Sequence, residues 1–379
     1  MANRFGRTEW AGAFGDLGTL IPFVIAYVKL LGMSPTGLLL TFGLAKIVSG
    51  LYYRTPFPIQ PMKAIGAAAT TQATQNFVVT PGAVYAASFT TGVVWLVLGA
   101  TGLANRITKW TPRPVVTGIV FGLGLKFMGD GIGMMSDNWW IAAISLAAAV
   151  LLLTSQRLPA MFVLLLIGIG TAAFQHPELP ALLAHMRPGF HMPQLGFGHI
   201  GAGEWFIGSV LLALPQLPLT LGNALIAITE ENNRLFPDRP VSERRVAMST
   251  GVMNVLSPLL GGVPMCHGAG GMAGHVRFGA RTGGALIILG TLLVIMALWL
   301  GDSVVTLLAL FPASVLGVIL FLAGAQLALG VGRFGGGRPT RMVALVTTAF
   351  ALWNVGVAFV AGVALWWLLP GRRSESGPA

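Results

Sequence analysis

From about residue 10 to residue 370 the chain is a succession of apolar stretches broken by short loops. A bilayer-spanning helix needs roughly 20 such residues, with a range of about 17 to 25. By that ruler, spans fall at about 10–30, 35–53, 62–76, 81–104, 114–130, 138–155 and 158–175, then at about 205–229, 243–260, 265–276, 282–303, 312–331, 339–353 and 354–370. Hydrocarbon offers the backbone no partners, so such spans must be helices. Only 9% of the 379 residues are charged and 55% are hydrophobic, where a soluble domain carries about a quarter charged residues. The expectation is an all-α polytopic membrane protein. The 51 glycines and 23 prolines fit close helix packing and broken helices.

The net charge of +11 does not point to nucleic acid, because the arginines lie in short loops between spans. With the N-terminus inside, 18 of the 23 Lys and Arg residues fall on inner loops, and only Lys29 and Arg187 fall outside; Lys46, Lys63 and Lys126 lie within spans. Such asymmetry follows the positive-inside rule and places both termini in the cytoplasm. A twelve-span reading, with 62–76 and 265–276 as loops, gives nearly the same sides, so charge leaves that choice open. No cleavable signal peptide is expected: Arg4 and Arg7 precede a glycine-rich span that carries Asp16. The single cysteine, Cys266, excludes an internal disulfide and a multi-cysteine metal site.

The two short segments carry most of the information. In Thr55–Thr74, Pro56, Pro58 and Pro61 keep a helix from entering, and a small-residue helix can begin just after Pro61. It would open with free N–H groups, the positive end of its dipole and Lys63. Gly261–Gly274 repeats the plan, with Pro264-Met265 matching Pro61-Met62. Gly118, Gly124 and Lys126 likewise match Gly317, Gly324 and Gln326, and Gly18-Thr19 matches Gly222-Asn223. The chain therefore divides into a first repeat at 1–175, an outer connector at 176–204, a second repeat at 205–370 and a tail at 371–379. Seven spans per half is an odd number, so the second repeat should be inverted, with the two half-helices meeting at mid-membrane. That is the plan of an alternating-access transporter. His176, His185, His191 and His199 in the connector could sense metal or protons, but their irregular spacing favours a plain surface connector.

G-D-L-G-T-L-I-P-F (15–23), P-F-P-I-Q-P-M-K-A-I (56–65), L-P-L-T-L-G-N-A (217–224), T-E-E-N-N-R (229–234) and G-G-V-P-M-C-H-G-A-G-G (261–271) resemble the molybdate transporters related to sulfate permeases. The resemblance covers essentially the whole chain. It implies an oxyanion transporter with a seven-plus-seven inverted repeat whose core moves against a gate. It also implies, with only Gly371–Ala379 after the last span, that the regulatory domain of many sulfate permeases is not expected.

Molybdate, sulfate and tungstate are tetrahedral dianions, and two opposed helix N-termini supply donors and positive potential for one. The expected substrate-binding residues are Thr19, Gln60, Met62, Lys63, Ala64, Thr220, Asn223, Met265, Cys266, His267 and Gly268. Lys63 either contacts the anion or pairs with Asp16. Gln60 either donates to the anion or caps its helix. Thr19 and Asn223 are either ligands or interhelical hydrogen bonds. Asp16 repels an anion, so it is either a coupling group for a proton or cation or a neutralising partner for Lys63. His267 is either a titrating, coupling cation or a neutral ring capping the turn. Glu230 is read as a gate contact on the inner rim or as a solvated helix end. Lys46 and Lys126 are weaker candidates, the latter a structural pair with Asp130 at i+4. Cys266 beside His267 is too thin for a metal site.

Secondary import of molybdate is the leading expectation, with a sulfate or other anion transporter or channel as the alternative and a nucleobase permease of the same plan behind it. No nucleophile–base pair, cofactor motif or P-loop is present, so neither an enzyme nor an ATP-driven pump is expected. The partners expected are the oxyanion, membrane lipid, a proton or cation left open and a second copy of the chain. The membrane expected is a bacterial inner membrane.

Overall fold

The computed structural model describes residues 2–63, 65–66, 79–109, 112–152, 155, 158, 160–181, 189–193, 196, 198, 200–301, 303–304, 308, 310–331 and 337–369. Helices dominate it. The first half contributes α1 (Arg7–Ala13), one 3-10 turn at Phe14–Asp16, α2 (Leu17–Leu31), α3 (Pro35–Tyr53), α4 (Pro81–Ala100), α5 (Leu103–Lys109), α6 (Arg113–Met135), α7 (Trp139–Leu151) and α8 (Ala160–Gln175). The second contributes α9 (Ala202–Phe206), α10 (Leu214–Leu219), α11 (Ile228–Leu235), α12 (Glu243–Leu256), α13 (Ala269–Arg277), α14 (Gly284–Leu300), α15 (Ala313–Gly330), α16 (Arg338–Trp353) and α17 (Val355–Leu368). Among the described residues, Arg7–Lys29, Pro35–Tyr53, Pro81–Ala100 and Arg113–Met135 are long and apolar enough to cross a membrane. Several more apolar helices are shorter.

Small residues decide which helices touch. Helix α3 lies along α14, α4 along α12, and α6 along both α15 and α16. Each seam is zipped by glycine. A Cβ on Gly43 of α3 would come within 2.7 Å of the Gly290 carbonyl oxygen of α14, and one on Gly92 of α4 within 2.7 Å of the Val255 nitrogen of α12. On α6, a Cβ at Gly124 would lie 2.8 Å from the Gly324 carbonyl of α15. Gly124 and Gly324, one of the pairs matched by the sequence repeat, thus pack on one another. In lipid, where burying apolar surface between helices gains little, close backbone approach is what drives such seams.

Residues 202–235 form one long, irregular helix. Helices α9, α10 and α11 are joined by π-helical stretches at Ile207–Ala213 and Thr220–Ala227. Pro215 and Pro218 fall between those stretches and have no N–H to give, which breaks the i to i−4 ladder and forces it to re-form in another register. The widened stretch Thr220–Ala227 is largely buried, Thr220 and Asn223 included.

Candidate functional site

The two proline-broken segments meet. Proline keeps both chains extended, and an extended backbone in a dry interior must find partners. They find them in each other: β1 (Gln60–Pro61) pairs antiparallel with β2 (Met265–Cys266), with Gln60 opposite Cys266 and Pro61 opposite Met265. The Met62 N–H donates to the Pro264 carbonyl at 2.9 Å. Directly past this ribbon both chains turn helical. One begins at Lys63, where the Gly66 N–H donates to the Met62 carbonyl at 3.0 Å. The other is α13, with Gly268 at its N-cap. The pairing brings the chain just before Lys63 within a backbone hydrogen bond of Pro264, and Met62, Met265, Cys266 and His267 are buried.

The ribbon is held from both sides by polar pairs spaced i, i+3. On α3, Lys46 Nζ donates to the Ile59 carbonyl at 2.8 Å and Ser49 Oγ to the Phe57 carbonyl at 2.7 Å. On and just beyond α12, Asn254 accepts from the Met265 N–H at 2.7 Å and donates to the Met265 carbonyl at 2.6 Å, while Ser257 Oγ donates to the Val263 carbonyl at 2.8 Å. These four residues were not among the expected site residues, apart from Lys46 as a weaker one. Their signal lay in the sequence as polar pairs one turn apart inside the apolar spans 35–53 and 243–260.

A buried polar cluster abuts β1. Gln60 Nε2 donates to Asp16 Oδ1 at 2.5 Å and to Thr19 Oγ1 at 2.9 Å, and the Thr19 hydroxyl donates to the Asp16 carboxylate. The cation that faces Asp16 is Lys46, with Nζ 3.6 Å from Oδ2 and both side chains essentially unexposed. Lys63 goes elsewhere. Its Nζ stands 3.5 Å from the centroid of the Phe127 ring on α6, and is buried with no hydrogen-bond acceptor among the described residues. Phe127 also closes over α13: a Cβ on Gly270 would strike its ring. Asp16, Thr19, Phe127 and Gly270 line one narrow cleft, together with Leu320 and Ala323 of α15.

Of the remaining expected residues, Asn223 approaches Gly268, its Nδ2 lying 3.4 Å from where a Cβ there would sit; its Oδ1 and Gln60 Oε1 are buried without partners among the described residues. A Cβ on Gly268 would also strike Gln60 Oε1. Thr220 accepts from Gln216 Nε2 at 3.0 Å. The His267 ring is engaged within the protein at both nitrogens, Nδ1 at 2.9 Å from the Pro58 carbonyl and Nε2 at 2.7 Å from Ser249 Oγ. It packs edge-on to Tyr53 and Phe57. Glu230 is exposed, one residue before a buried Glu231 that pairs with Arg234 at 2.8 Å. Lys126 and Asp130 form an exposed pair at 3.9 Å. Ala64 and most of the expected span 62–76 lie outside the described residues, as do His185 and His199. His176 pairs with Glu178 at 3.0 Å on the surface. No group of three or more His, Cys, Asp or Glu residues suited to a metal occurs among the described residues.

A family profile described as "Molybdate transporter of MFS superfamily" matches residues 8–127 and 208–327, the two stretches that contain the half-helix tips. The chain is 30% identical to molybdate transporter 2 of Arabidopsis thaliana, over 97% of this chain and 88% of that protein. Its fold is similar to that of the transmembrane domain of a cyanobacterial bicarbonate transporter, BicA, with a TM-score of 0.59 at 13% identity, over 96% of this chain and 98% of that one. It is similar also to the murine anion transporter Slc26a9 in the inward-facing state, with a TM-score of 0.63 at 12% identity, over 97% and 69% of the two chains.

Proposed function

The chain belongs to the molybdate transporter family, and on that premise we propose that it is a secondary active transporter that imports molybdate by alternating access. The observation that carries this reading is the ribbon of β1 and β2. It joins the two extended segments from which the helices at Lys63 and Ala269 start, and the buried Lys63 ammonium has no hydrogen-bond acceptor among the described residues. Each tip resembles roughly half a positive charge and offers N–H groups with no acceptor inside its own helix. A tetrahedral dianion fits that field.

In this reading the anion sits between Met62–Ile65 and Met265–Gly268. Lys63 supplies a full charge, and the Asn223 amide donates beside Gly268. Gln60 and Thr19 act mainly on Asp16, because their donors are already directed there. Lys46 neutralises Asp16, so that carboxylate does not repel the substrate. Asp16 is the proposed coupling group for a proton or cation, since its partner Lys46 also holds the Ile59 carbonyl of the ribbon. His267 holds the second tip through its two hydrogen bonds. Glu230, exposed at the end of the long helix, is the proposed inner-rim contact.

Two inverted seven-span repeats at 1–175 and 205–370 are the proposed architecture, with both termini in the cytoplasm. The seams support it: exchanging the halves turns the α3–α14 seam into the α12–α4 seam, and the α6–α15 seam joins the matched glycine spans. The test is molybdate uptake into proteoliposomes with imposed proton or sodium gradients and excess sulfate as competitor. Saturable, gradient-driven accumulation is expected. Unsaturable conductance would make the protein a channel, and full inhibition by sulfate would widen the substrate to oxyanions in general.

A further inference from the structure

Two depressions run into one another on the face made by α3 and α12. The first is a crevice of about 400 Å³ walled by Leu44, Val48, Tyr52, Met248, Val252 and Leu256. The second, of about 600 Å³, is lined by Arg54, Arg239 and Arg245 together with Tyr52, Tyr53 and Val241. Tyr52, Tyr53 and Arg245 line both. The crevice is apolar and open: Val48 is 63% exposed and Tyr52 59%. On a helix that crosses a bilayer, such residues face acyl chains. Arg54 caps the end of α3, Arg239 lies in the loop before α12 and Arg245 in the first turn of α12, where basic residues at the ends of spans meet lipid headgroups. Asp238 and Glu243 are nearby in sequence, but neither lines the basic depression.

An apolar channel that ends in three guanidinium groups is complementary to one kind of molecule. We propose that this paired depression binds an anionic phospholipid, with an acyl chain lying between α3 and α12 and its phosphate against Arg54, Arg239 and Arg245. Guanidinium pairs with phosphate oxygens in a bidentate fork, which a zwitterionic headgroup satisfies less well because its own cation competes. The inner wall of the crevice is the back of the ribbon: Ile59, Met265 and His267 line it. The Tyr53 hydroxyl, 2.6 Å from Ser249 Oγ, links it to the His267 ring. A bound lipid therefore buttresses the second half-helix tip from behind. The proposal concerns lipid binding alone and stands whether or not the transport reading does.

Native mass spectrometry of the full chain, delipidated and then given phosphatidylglycerol or phosphatidylcholine, tests it. One phosphatidylglycerol should remain bound under conditions that strip phosphatidylcholine. Arg54→Gln with Arg245→Gln should weaken that binding by roughly fivefold per arginine. Val252→Trp, which fills the crevice without changing charge, should also displace the lipid, and its position on an exposed helix face keeps the test available if the arginine variants do not fold. Equal retention of the two lipids, undiminished binding in both kinds of variant, or complete release of phosphatidylglycerol by excess inorganic phosphate would overturn the proposal. The last would make the arginines a site for soluble anions.

Discussion

At the scale of single residues, the two intramembrane lysines of the ribbon do different work. Lys46 is committed twice, to Asp16 at 3.6 Å and to the Ile59 carbonyl at 2.8 Å. Removing one partner of a buried ion pair leaves the other charge uncompensated, at a cost of about 3–5 kcal/mol. Lys46→Ala should therefore lower the thermal stability of the purified protein sharply, and adding Asp16→Asn should recover part of the loss; an unaffected melting temperature in the single variant would contradict the pairing. Among the described residues Lys63 rests on the face of Phe127, a contact worth about 2 kcal/mol for a desolvated cation. Lys63→Gln should fold normally and bind molybdate more weakly by about 2 kcal/mol, roughly thirtyfold, the value of a charge-assisted hydrogen bond. Isothermal titration separates this outcome from unchanged affinity, which would take Lys63 out of the site.

At the scale of elements, the ribbon is the unit. Asn254 satisfies both backbone groups of Met265, so Asn254→Ala strands a buried donor and a buried acceptor at about 1–3 kcal/mol each. Loss of molybdate binding with the helices intact by circular dichroism is the expected result. Gly268→Val should do the same by a different route, since a Cβ there meets Gln60 Oε1; retained binding in both variants would show that the ribbon does not shape the site. The broken segments were legible in the sequence because three prolines within residues 56–61 keep a helix from entering there. That the two strands would pair was not legible, because Gln60 and Cys266 lie in different halves of the chain and no local pattern records a partner so distant. Asp16 was assigned Lys63 as one option because both belong to strong motifs. Its actual partner, Lys46, follows from how α3 crosses α2, which is a property of packing. Phe127 carried no signal at all: in an apolar span of α6 it reads like any other lipid- or core-facing aromatic.

At the scale of the whole molecule, the described helices pair in a way that interchanges the halves, and the one cysteine of the chain lies inside the ribbon, 3% exposed. Cys266 is therefore a native reporter of opening. If the half-helix tips become accessible only when the seams between helices shift, a membrane-permeant maleimide should label Cys266 slowly, and saturating molybdate should change the rate several-fold. A rate indifferent to molybdate would place the substrate away from β2. The helical, membrane-spanning class was readable because lipid solvent makes hydropathy nearly sufficient. Which seams form was less so, since glycine is spread along most spans and its neighbour is chosen only when the helices assemble.

The claim on which the rest depends is that an oxyanion lies between the two helix tips beyond the ribbon. Tungstate, a heavy stand-in for molybdate, would show it directly by anomalous scattering from crystals of the purified protein. One strong peak is expected within hydrogen-bonding reach of the backbone N–H groups at Lys63 and Ala269 and near Lys63 Nζ. A peak elsewhere in the molecule, or none there in protein that demonstrably takes up molybdate, would contradict it.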